Sequence, residues 1–253
     1  MSDDYELAAA LVRDAGRLAA RMLGAGVSVS HKTSISDVVS AADHAAEALV
    51  AERLAEQRPD DGIVGEEGAA RPGARTWYVD PVDGTYNFLS RLPIWSSAVA
   101  LVDEDGPVLG AIYDATADEV WVGGRDHSTT RNGVPIAPLT DRPLRELSIA
   151  TYLHPTTLPD ATLREPLLRA MQGAATVRML GSGSVELAAV AAGRLGVWVQ
   201  ANSLPWDWLP GATIVQAAGG KATVIELGGH RWHVAGAHRA VDDVVAALRG
   251  AAT

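Results

Sequence analysis

The sequence predicts a layered α/β fold, because the apolar pattern changes twice along its 253 residues. Helical periodicity at the start gives way to short β-rich runs, and beyond residue 140 short strands alternate with helices. Strands in series followed by alternating strands and helices are typical of layers that share apolar cores. We therefore expect two halves, 1–140 and 141–253, joined at a proline-bearing segment.

Two helices are predicted to open the chain. Apolar residues at helical spacing mark a helix over about the first 23 residues: Leu7, Leu11, Leu18 and Met22. The same spacing predicts a second helix from Ser40 to Leu54, and Pro59 ends it.

The middle of the chain is predicted to form a sheet of meandering strands. Apolar runs begin near residues 63, 77, 97, 108 and 119, and the pairs Asp105-Gly106 and Asn132-Gly133 supply turns. Further on, strands are expected near 148, 177, 197 and 222, with helices at 163–172, 184–194, 208–218 and 239–249. These helices would cover the faces of a second sheet.

Composition excludes several classes of function. A net charge of −10 opposes binding to nucleic acid, and the lack of cysteine excludes disulfides, thiolate metal sites and a cysteine nucleophile. The acidic start does not resemble a signal peptide, and no apolar run is long enough to span a membrane. We expect a cytoplasmic protein that binds neither membranes nor nucleic acid. A small anionic substrate remains compatible with this charge if bound cations reverse the local field.

One stretch, WYVDPVDGTYNF from Trp77 to Phe88, places two aspartates close together at the end of a predicted strand. The strand is expected to end at Asp80, where Pro81 interrupts the ladder, and a helical turn is expected to start at Gly84. Paired carboxylates suit Mg²⁺, and free amides at the start of a helical turn suit a phosphate oxygen. The stretch therefore predicts overlapping metal and anion sites.

Other acidic residues have both a structural and a functional interpretation. Glu66 lies in the turn Gly-Glu-Glu-Gly, Asp207 is expected as the N-cap of a helix, and Asp43 fits a capping box with Ser40. The glycine-rich run 178–189 lacks the third glycine of a dinucleotide-binding loop, so a helix N-cap by Ser182 or Ser184 is its plain alternative.

The combination of GEEG, DPVDGTYNF and PWDWLPGATIVQAAGG resembles the inositol monophosphatase family of Mg²⁺-dependent, lithium-sensitive sugar phosphatases. The resemblance runs from Lys32 to Gly220. It implies an αβαβα five-layer sandwich of the inositol monophosphatase/fructose-1,6-bisphosphatase type, usually a homodimer. It also implies a phosphomonoesterase that hydrolyses a small polyol phosphate, most simply inositol monophosphate.

The resemblance implies two or three Mg²⁺ ions. Glu66, Asp80 and the carbonyl of Val82 would surround the first ion, while Asp80, Asp83 and Asp207 would hold the second. Glu66 would also face a loosely bound third ion. Such ions activate a water molecule and stabilise the leaving alkoxide in an in-line displacement.

The catalytic residues implied are Glu66, Asp83, Thr85 and Asp43, with Thr85 positioning the attacking water and Asp43 behind it. Lys32 and Asp37 would lie in a lid near the third ion, where the alternative is a pair of solvated charges.

The substrate contacts implied by the resemblance are Gly84, Thr85, Gly181, Ser182, Gly183, Gln200 and Asp207. Family members that act on inositol phosphate usually have glutamate at the position of Gln200, so the choice of substrate stays open. Histidinol phosphate, 3′-phosphoadenosine 5′-phosphate and fructose 1,6-bisphosphate are alternatives on the same metal core. A non-catalytic metal- or anion-sensing protein is an alternative from another class.

Overall fold

The computed structural model describes residues 4–26, 29–31 and 38–250. Lys32 and Asp37 lie outside the described residues, so their predicted place in a lid stays a prediction.

The described residues form seven α-helices and fifteen strands, close to the predicted positions. The helices are α1 Asp4–Ala25, α2 Ala41–Gln57, α3 Thr85–Leu89, α4 Ala161–Gln172, α5 Gly183–Ala191, α6 Pro205–Ala217 and α7 His238–Leu248. The strands are β1 Val29–His31, β2 Val38–Ser40, β3 Gly62–Gly65, β4 Ala70–Arg71, β5 Thr76–Asp83, β6 Ser96–Asp103, β7 Gly106–Asp114, β8 Glu119–Gly124, β9 His127–Arg131, β10 Val134–Pro135, β11 Ser148–Thr151, β12 Thr176–Arg178, β13 Val197–Ala201, β14 Lys221–Leu227 and β15 His230–Gly236.

The larger sheet has the strand order β10-β9-β8-β7-β6-β5-β3-β4. From β5 to β10 it is the antiparallel meander that the sequence predicts, and Asn132 and Gly133 both have positive φ in the turn before β10. The expectation of a simple meander was wrong at one edge, where β3 pairs parallel with β5. The short strand β4 folds back on the outer side of β3, so the chain returns before β5 begins.

The layers alternate as α, β, α, β, α, which confirms the five-layer sandwich. Helices α1 and α2 pack on one face of the larger sheet, where Leu11 and Val50 meet Trp77. Helices α5 and α6 fill the space between the two sheets, where Leu187 and Ile214 are buried. Helices α4 and α7 cover the far side of the second sheet, whose order is β12-β11-β13-β15-β14.

The larger sheet ends at Pro135 and the smaller begins at Ser148, on either side of the predicted boundary. Helix α6 nevertheless crosses β7 so closely that a Cβ at Gly110 would overlap the Pro210 carbonyl. The halves therefore share an apolar core, and a division at residue 140 stays a prediction. No helix in the described ranges is both long and apolar enough to cross a membrane.

Candidate active site

A bulge in β5 brings two carboxylates to the same face of the sheet. The strand continues to Asp83, so the expectation that it ends at Asp80 was wrong. Asp80 pairs with Ala98 and Asp83 with Ser96, so three steps on β5 match two on β6. The extra residue cancels the usual alternation of side chains. Pro81 is tolerated within the bulge because no ladder hydrogen bond is required of it there.

Gly84 turns the chain from β5 into α3 with a φ of 90°. That left-handed conformation is unfavourable for residues with a Cβ. A Cβ at Gly84 would also lie 3.0 Å from the Gly181 carbonyl oxygen. The turn that follows the two aspartates is therefore packed directly against the glycine-rich loop.

Asp43 takes part in the capping box of α2 and also contacts Thr85. Its Oδ2 accepts hydrogen bonds from the backbone N–H and the hydroxyl of Ser40, which completes a capping box. The Thr85 Oγ1 lies 3.1 Å from Asp43 Oδ1 and 3.0 Å from the Val82 carbonyl oxygen. Since the hydroxyl has one proton, it donates to one of these acceptors or is shared between them.

The turn that carries Glu66 is held in place by Glu47 of α2. The backbone N–H groups of Glu67 and Ala69 donate to the two carboxylate oxygens of Glu47, at 2.8 and 2.7 Å. A Cβ at Gly65 would overlap Glu47, so glycine is required beside it. The loop therefore has a fixed conformation at the end of β3.

Asp207 lies at the third position of α6, which corrects its expected place as the N-cap. The helix begins at Pro205, because proline suits the first helical position, and Leu204 is the N-cap residue. The Asp207 carboxylate accepts a hydrogen bond from the Leu204 backbone N–H at 3.3 Å.

Asp83 is hydrogen bonded to the start of α5. Its Oδ2 accepts from the Ser182 hydroxyl at 2.7 Å and from the Ser184 backbone N–H at 2.6 Å. Ser182 is also the N-cap of α5, as its plain interpretation predicted. One aspartate thus joins the end of β5 to the glycine-rich loop.

The carboxylates of this region are close enough to affect one another. Burial, together with the charges of Glu66, Asp83 and Asp207, raises the pKa of Asp80 well above its usual range. Burial, then the charges of Asp83 and Glu66, raises the pKa of Asp207 to about 8. Four acidic side chains therefore compete to ionise in one buried region.

A cavity of about 620 Å³ opens over this acidic region. None of the described residues that line it is Lys, Arg or His. The predicted site residues in its wall are Glu66, Asp83, Gly84, Thr85, Gly181, Ser182, Gly183, Gln200 and Asp207. Asp43, Asp80 and Val82 are buried and do not line this cavity.

The donor set fits hard divalent cations. Clustered carboxylates without a basic side chain in the cavity wall are the oxygen ligands that Mg²⁺ prefers. Within the described ranges, however, no three acidic or imidazole groups already converge on one point. Asp83 Oδ2 accepts two hydrogen bonds, and Asp80 Oδ1 accepts one from the Val82 N–H. These oxygens are therefore already hydrogen bonded within the protein. Small rotations would be needed for them to share an ion.

Three residues with a part in this architecture were missed by sequence analysis: Glu47, Asn87 and Glu186. Asn87 Nδ2 donates to the Leu180 carbonyl at 2.7 Å, and Glu186 Oε1 accepts from the Leu180 N–H, also at 2.7 Å. The backbone of Leu180 is thus held at both its carbonyl and its N–H group. Glu186 Oε2 also accepts from Trp198 Nε1 at 2.9 Å.

A signal for Glu47 was present in the sequence. Asp43 and Glu47 are four residues apart and so share the buried face of α2, where acidic residues are unusual. Asn87 lies within the motif DPVDGTYNF, which marked it although no role was assigned to it. No comparable signal marks Glu186, because the loop and β13 bring its partners to it.

The fold and the acidic cavity together are those of a phosphatase. The profile of the Inositol monophosphatase family matches residues 1–251, and the chain belongs to this family. Inositol-1-monophosphatase of Bacillus subtilis is 28% identical over 228 residues, covering 87% of this chain and 85% of that protein. Nus factor SuhB of Escherichia coli is 30% identical over 254 residues, covering 96% and 94%.

Solved structures agree with this assignment. The extragenic suppressor protein suhB of Bartonella henselae superposes with a TM-score of 0.88 at 29% identity, over 98% of this chain and 99% of that one. The resemblance inferred from the sequence motifs is thus confirmed, and the chain is a phosphatase enzyme.

Proposed function

We propose that the protein is a Mg²⁺-dependent phosphomonoesterase for a small polyol phosphate, most simply inositol monophosphate. The observation that carries the proposal is the group of four mutually close carboxylates beneath a cavity without a basic side chain among its described lining residues. An anionic phosphate would be repelled from such a cavity unless cations entered first.

The residues proposed to hold Mg²⁺ are those implied by the family. Glu66, Asp80 and the Val82 carbonyl would hold one ion, and Asp80, Asp83 and Asp207 a second, with a third loosely bound near Glu66. Bound there, Mg²⁺ supplies an activated water molecule and charge stabilisation for the leaving alkoxide.

Thr85 and Asp43 are proposed to orient the attacking water. When Thr85 donates its proton to Asp43, its oxygen lone pairs can accept a hydrogen bond from water in the cavity. Asp43 cannot turn away, because the capping box with Ser40 fixes its other oxygen. The pair would hold the water oxygen towards the phosphorus atom.

The substrate is proposed to lie against Gly84 and Thr85 through its phosphate and against the 181–183 loop, Gln200 and Asp207 through its hydroxyl groups. Fructose 1,6-bisphosphate and 3′-phosphoadenosine 5′-phosphate carry a second phosphate group. The described cavity wall has no Lys, Arg or His to receive it, which favours a monophosphate. Histidinol phosphate remains the alternative monophosphate.

Phosphate release from a panel of phosphomonoesters tests this proposal. We expect turnover of inositol monophosphate with Mg²⁺, loss of turnover in excess chelator, recovery when Mg²⁺ is returned, and inhibition by lithium. Release that persists in chelator would contradict the metal-dependent mechanism. A protein that binds Mg²⁺ but hydrolyses no member of the panel would instead be a metal or anion sensor.

We also propose a cytoplasmic homodimer without nucleic-acid partners. Large apolar side chains on the surface, including Leu158, Leu168 and Met179, support association. The net charge of −10 opposes binding to nucleic acid, although one relative is named a Nus factor. Sedimentation analysis tests the dimer, and gel-shift titration with RNA tests the absence of nucleic-acid binding.

A further inference from the structure

A second cavity, of about 270 Å³, adjoins the proposed active-site cavity. Tyr152 and Gln200 line both, so the two spaces meet at these side chains. The smaller cavity lies between β13, the start of α4 and the segment that follows β11. None of the four carboxylates lines the smaller cavity.

The wall of this smaller cavity is largely apolar and well packed. Leu163, Leu167 and Trp232 each have 8% or less of their surface exposed, and Ala201 is paired with Trp232 across the sheet. Among the described lining residues, His154 is the one group that can carry charge, and its Nδ1 is already hydrogen bonded to Thr156. A charged ligand would lose its hydration here without gaining a partner.

The junction between the cavities offers a free polar group. Within the described part of the chain, the side-chain amide of Gln200 has no hydrogen-bond partner, so it can both donate to and accept from a ligand. Tyr152, with 43% of its surface exposed, presents its ring beside this amide. A ligand crossing the junction would meet an amide suited to hydroxyl groups and then apolar walls suited to a ring.

We propose that the smaller cavity is a subsite for the leaving alcohol of the substrate, and that it takes an uncharged aromatic or heteroaromatic ring carried beyond the hydroxyl-bearing part. This inference rests on the proposed phosphatase function of the larger cavity. A flat ring suits the space because it buries apolar area against Tyr152, Leu163 and Trp232 while it loses little conformational entropy.

The test compares kcat/KM for 3-phenylpropyl phosphate and propyl phosphate, with glycerol 2-phosphate as a reference that needs only the larger cavity. We expect the phenyl group to raise kcat/KM about tenfold, which corresponds to about 1.4 kcal/mol. Ala201→Phe fills the smaller cavity and should bring the ratio close to one while glycerol 2-phosphate turnover is retained. Ala161→Phe makes the same change at an exposed position on α4 and should keep the ratio.

Each result separates the subsite from the phosphatase proposal. A ratio near one in the unmodified protein, or one unchanged by Ala201→Phe, would overturn the subsite while leaving phosphatase function intact. If Ala201→Phe unfolds, Ala201→Leu replaces it, with turnover of glycerol 2-phosphate as the check on folding.

Binding of 3-phenylpropan-1-ol, followed by saturation-transfer NMR, tests the subsite without turnover. Binding that Ala201→Phe abolishes and Ala161→Phe preserves would support the subsite even if no phosphate were released. Binding that is absent, or insensitive to Ala201→Phe, would overturn it.

Discussion

Ser182 donates a hydrogen bond of 2.7 Å to Asp83 across 99 residues of sequence. The contact connects the end of β5, which carries three proposed metal ligands, to the first residue before α5. The Ser184 N–H donates to the same oxygen, Oδ2. These two hydrogen bonds fix the orientation of the Asp83 carboxylate and therefore also the position of its other oxygen. The position of a proposed ligand thus depends on the proposed substrate loop.

Ser182→Ala should weaken Mg²⁺ activation and destabilise the protein together. The variant loses the donor to Asp83 and the N-cap of α5, which together should cost about 1–2 kcal/mol of unfolding free energy. Activity as a function of Mg²⁺ concentration and urea unfolding measure the two effects.

Ser203→Ala is the matched control for that variant. Ser203 is also buried, but its hydroxyl has no hydrogen-bond partner within the described residues. Equal losses in the two variants would contradict the role given to the Ser182 hydroxyl.

Asp207→Asn should abolish turnover by several orders of magnitude and yet stabilise the metal-free protein at neutral and alkaline pH. The folded-state pKa of Asp207 is raised from 3.8 to about 8, so the folded state binds the extra proton and stability falls as pH rises between these values. Asparagine cannot ionise, so the stability of the variant does not fall with rising pH for this reason. Urea unfolding in chelator, beside phosphate release with Mg²⁺, measures both effects.

Asp83→Asn should also lose activity by several orders of magnitude. Asp105→Asn, at an exposed turn, is the control and should change neither turnover nor the stability of the metal-free protein. Near-normal turnover in the Asp83 or Asp207 variant would remove that residue from the proposed metal site.

Local patterns predicted most of the helices and strands of the fold. Apolar spacing and the Asn132-Gly133 turn are properties of neighbouring residues, and so is the pair Asp80 and Asp83. The capping box of Asp43 also depends on residues only three apart. Such features depend on residues that are neighbours in the sequence and not on tertiary contacts.

The remainder depends on tertiary structure and could not be predicted this way. The parallel pairing of β3 with β5 depends on where β4 folds back, and the bulge at Pro81 depends on the register with β6. Glu186 appears in sequence as an ordinary helical glutamate, and its partners Leu180 and Trp198 are brought to it by the loop and by β13.

Glu186→Gln should change how stability depends on pH. Burial raises the pKa of Glu186 from 4.5 to about 8 in the folded protein, so its contribution to stability is present below pH 4.5 and is lost as pH rises towards 8. The unmodified protein should therefore lose unfolding free energy relative to the variant as pH rises. Urea unfolding in chelator at several pH values between these limits measures it.

Glu165→Gln replaces an exposed glutamate on α4 and is the control. Its difference in unfolding free energy from the unmodified protein should change much less with pH. A difference for Glu186→Gln that is constant with pH would show that Glu186 is ionised in the folded protein.

His233→Phe should remove a loss of stability in acid. Burial lowers the pKa of His233 from 6.5 to about 4, and its Nδ1 has no partner in the described residues. The unfolded state therefore binds the proton first, so stability falls as pH drops from 6.5 to 4. Phenylalanine keeps the ring beside Trp208 and cannot be protonated. Thermal unfolding across this pH range measures the difference.

The control for His233→Phe is His127→Phe, at an exposed ring that contacts Tyr5. Parallel pH curves for the unmodified protein and His233→Phe would contradict the assignment of a buried neutral imidazole.

Gln200→Glu should improve discrimination in favour of a polyol phosphate. Gln200 lies in the cavity wall, and a carboxylate there would accept stronger, charge-assisted hydrogen bonds from substrate hydroxyls. We expect kcat/KM for inositol monophosphate, relative to a simple aryl phosphate, to rise about fivefold, or about 1 kcal/mol. Gln216→Glu adds the same charge at an exposed position on α6 and should leave the ratio unchanged. Histidinol phosphate distinguishes two causes of a rise, because it has no free hydroxyl group and would gain only through attraction between its ammonium and imidazole groups and the added charge. A rise shared by both substrates would indicate a gain in contacts and charge together, whereas an unchanged ratio for inositol monophosphate would show that Gln200 does not contact the bound alcohol.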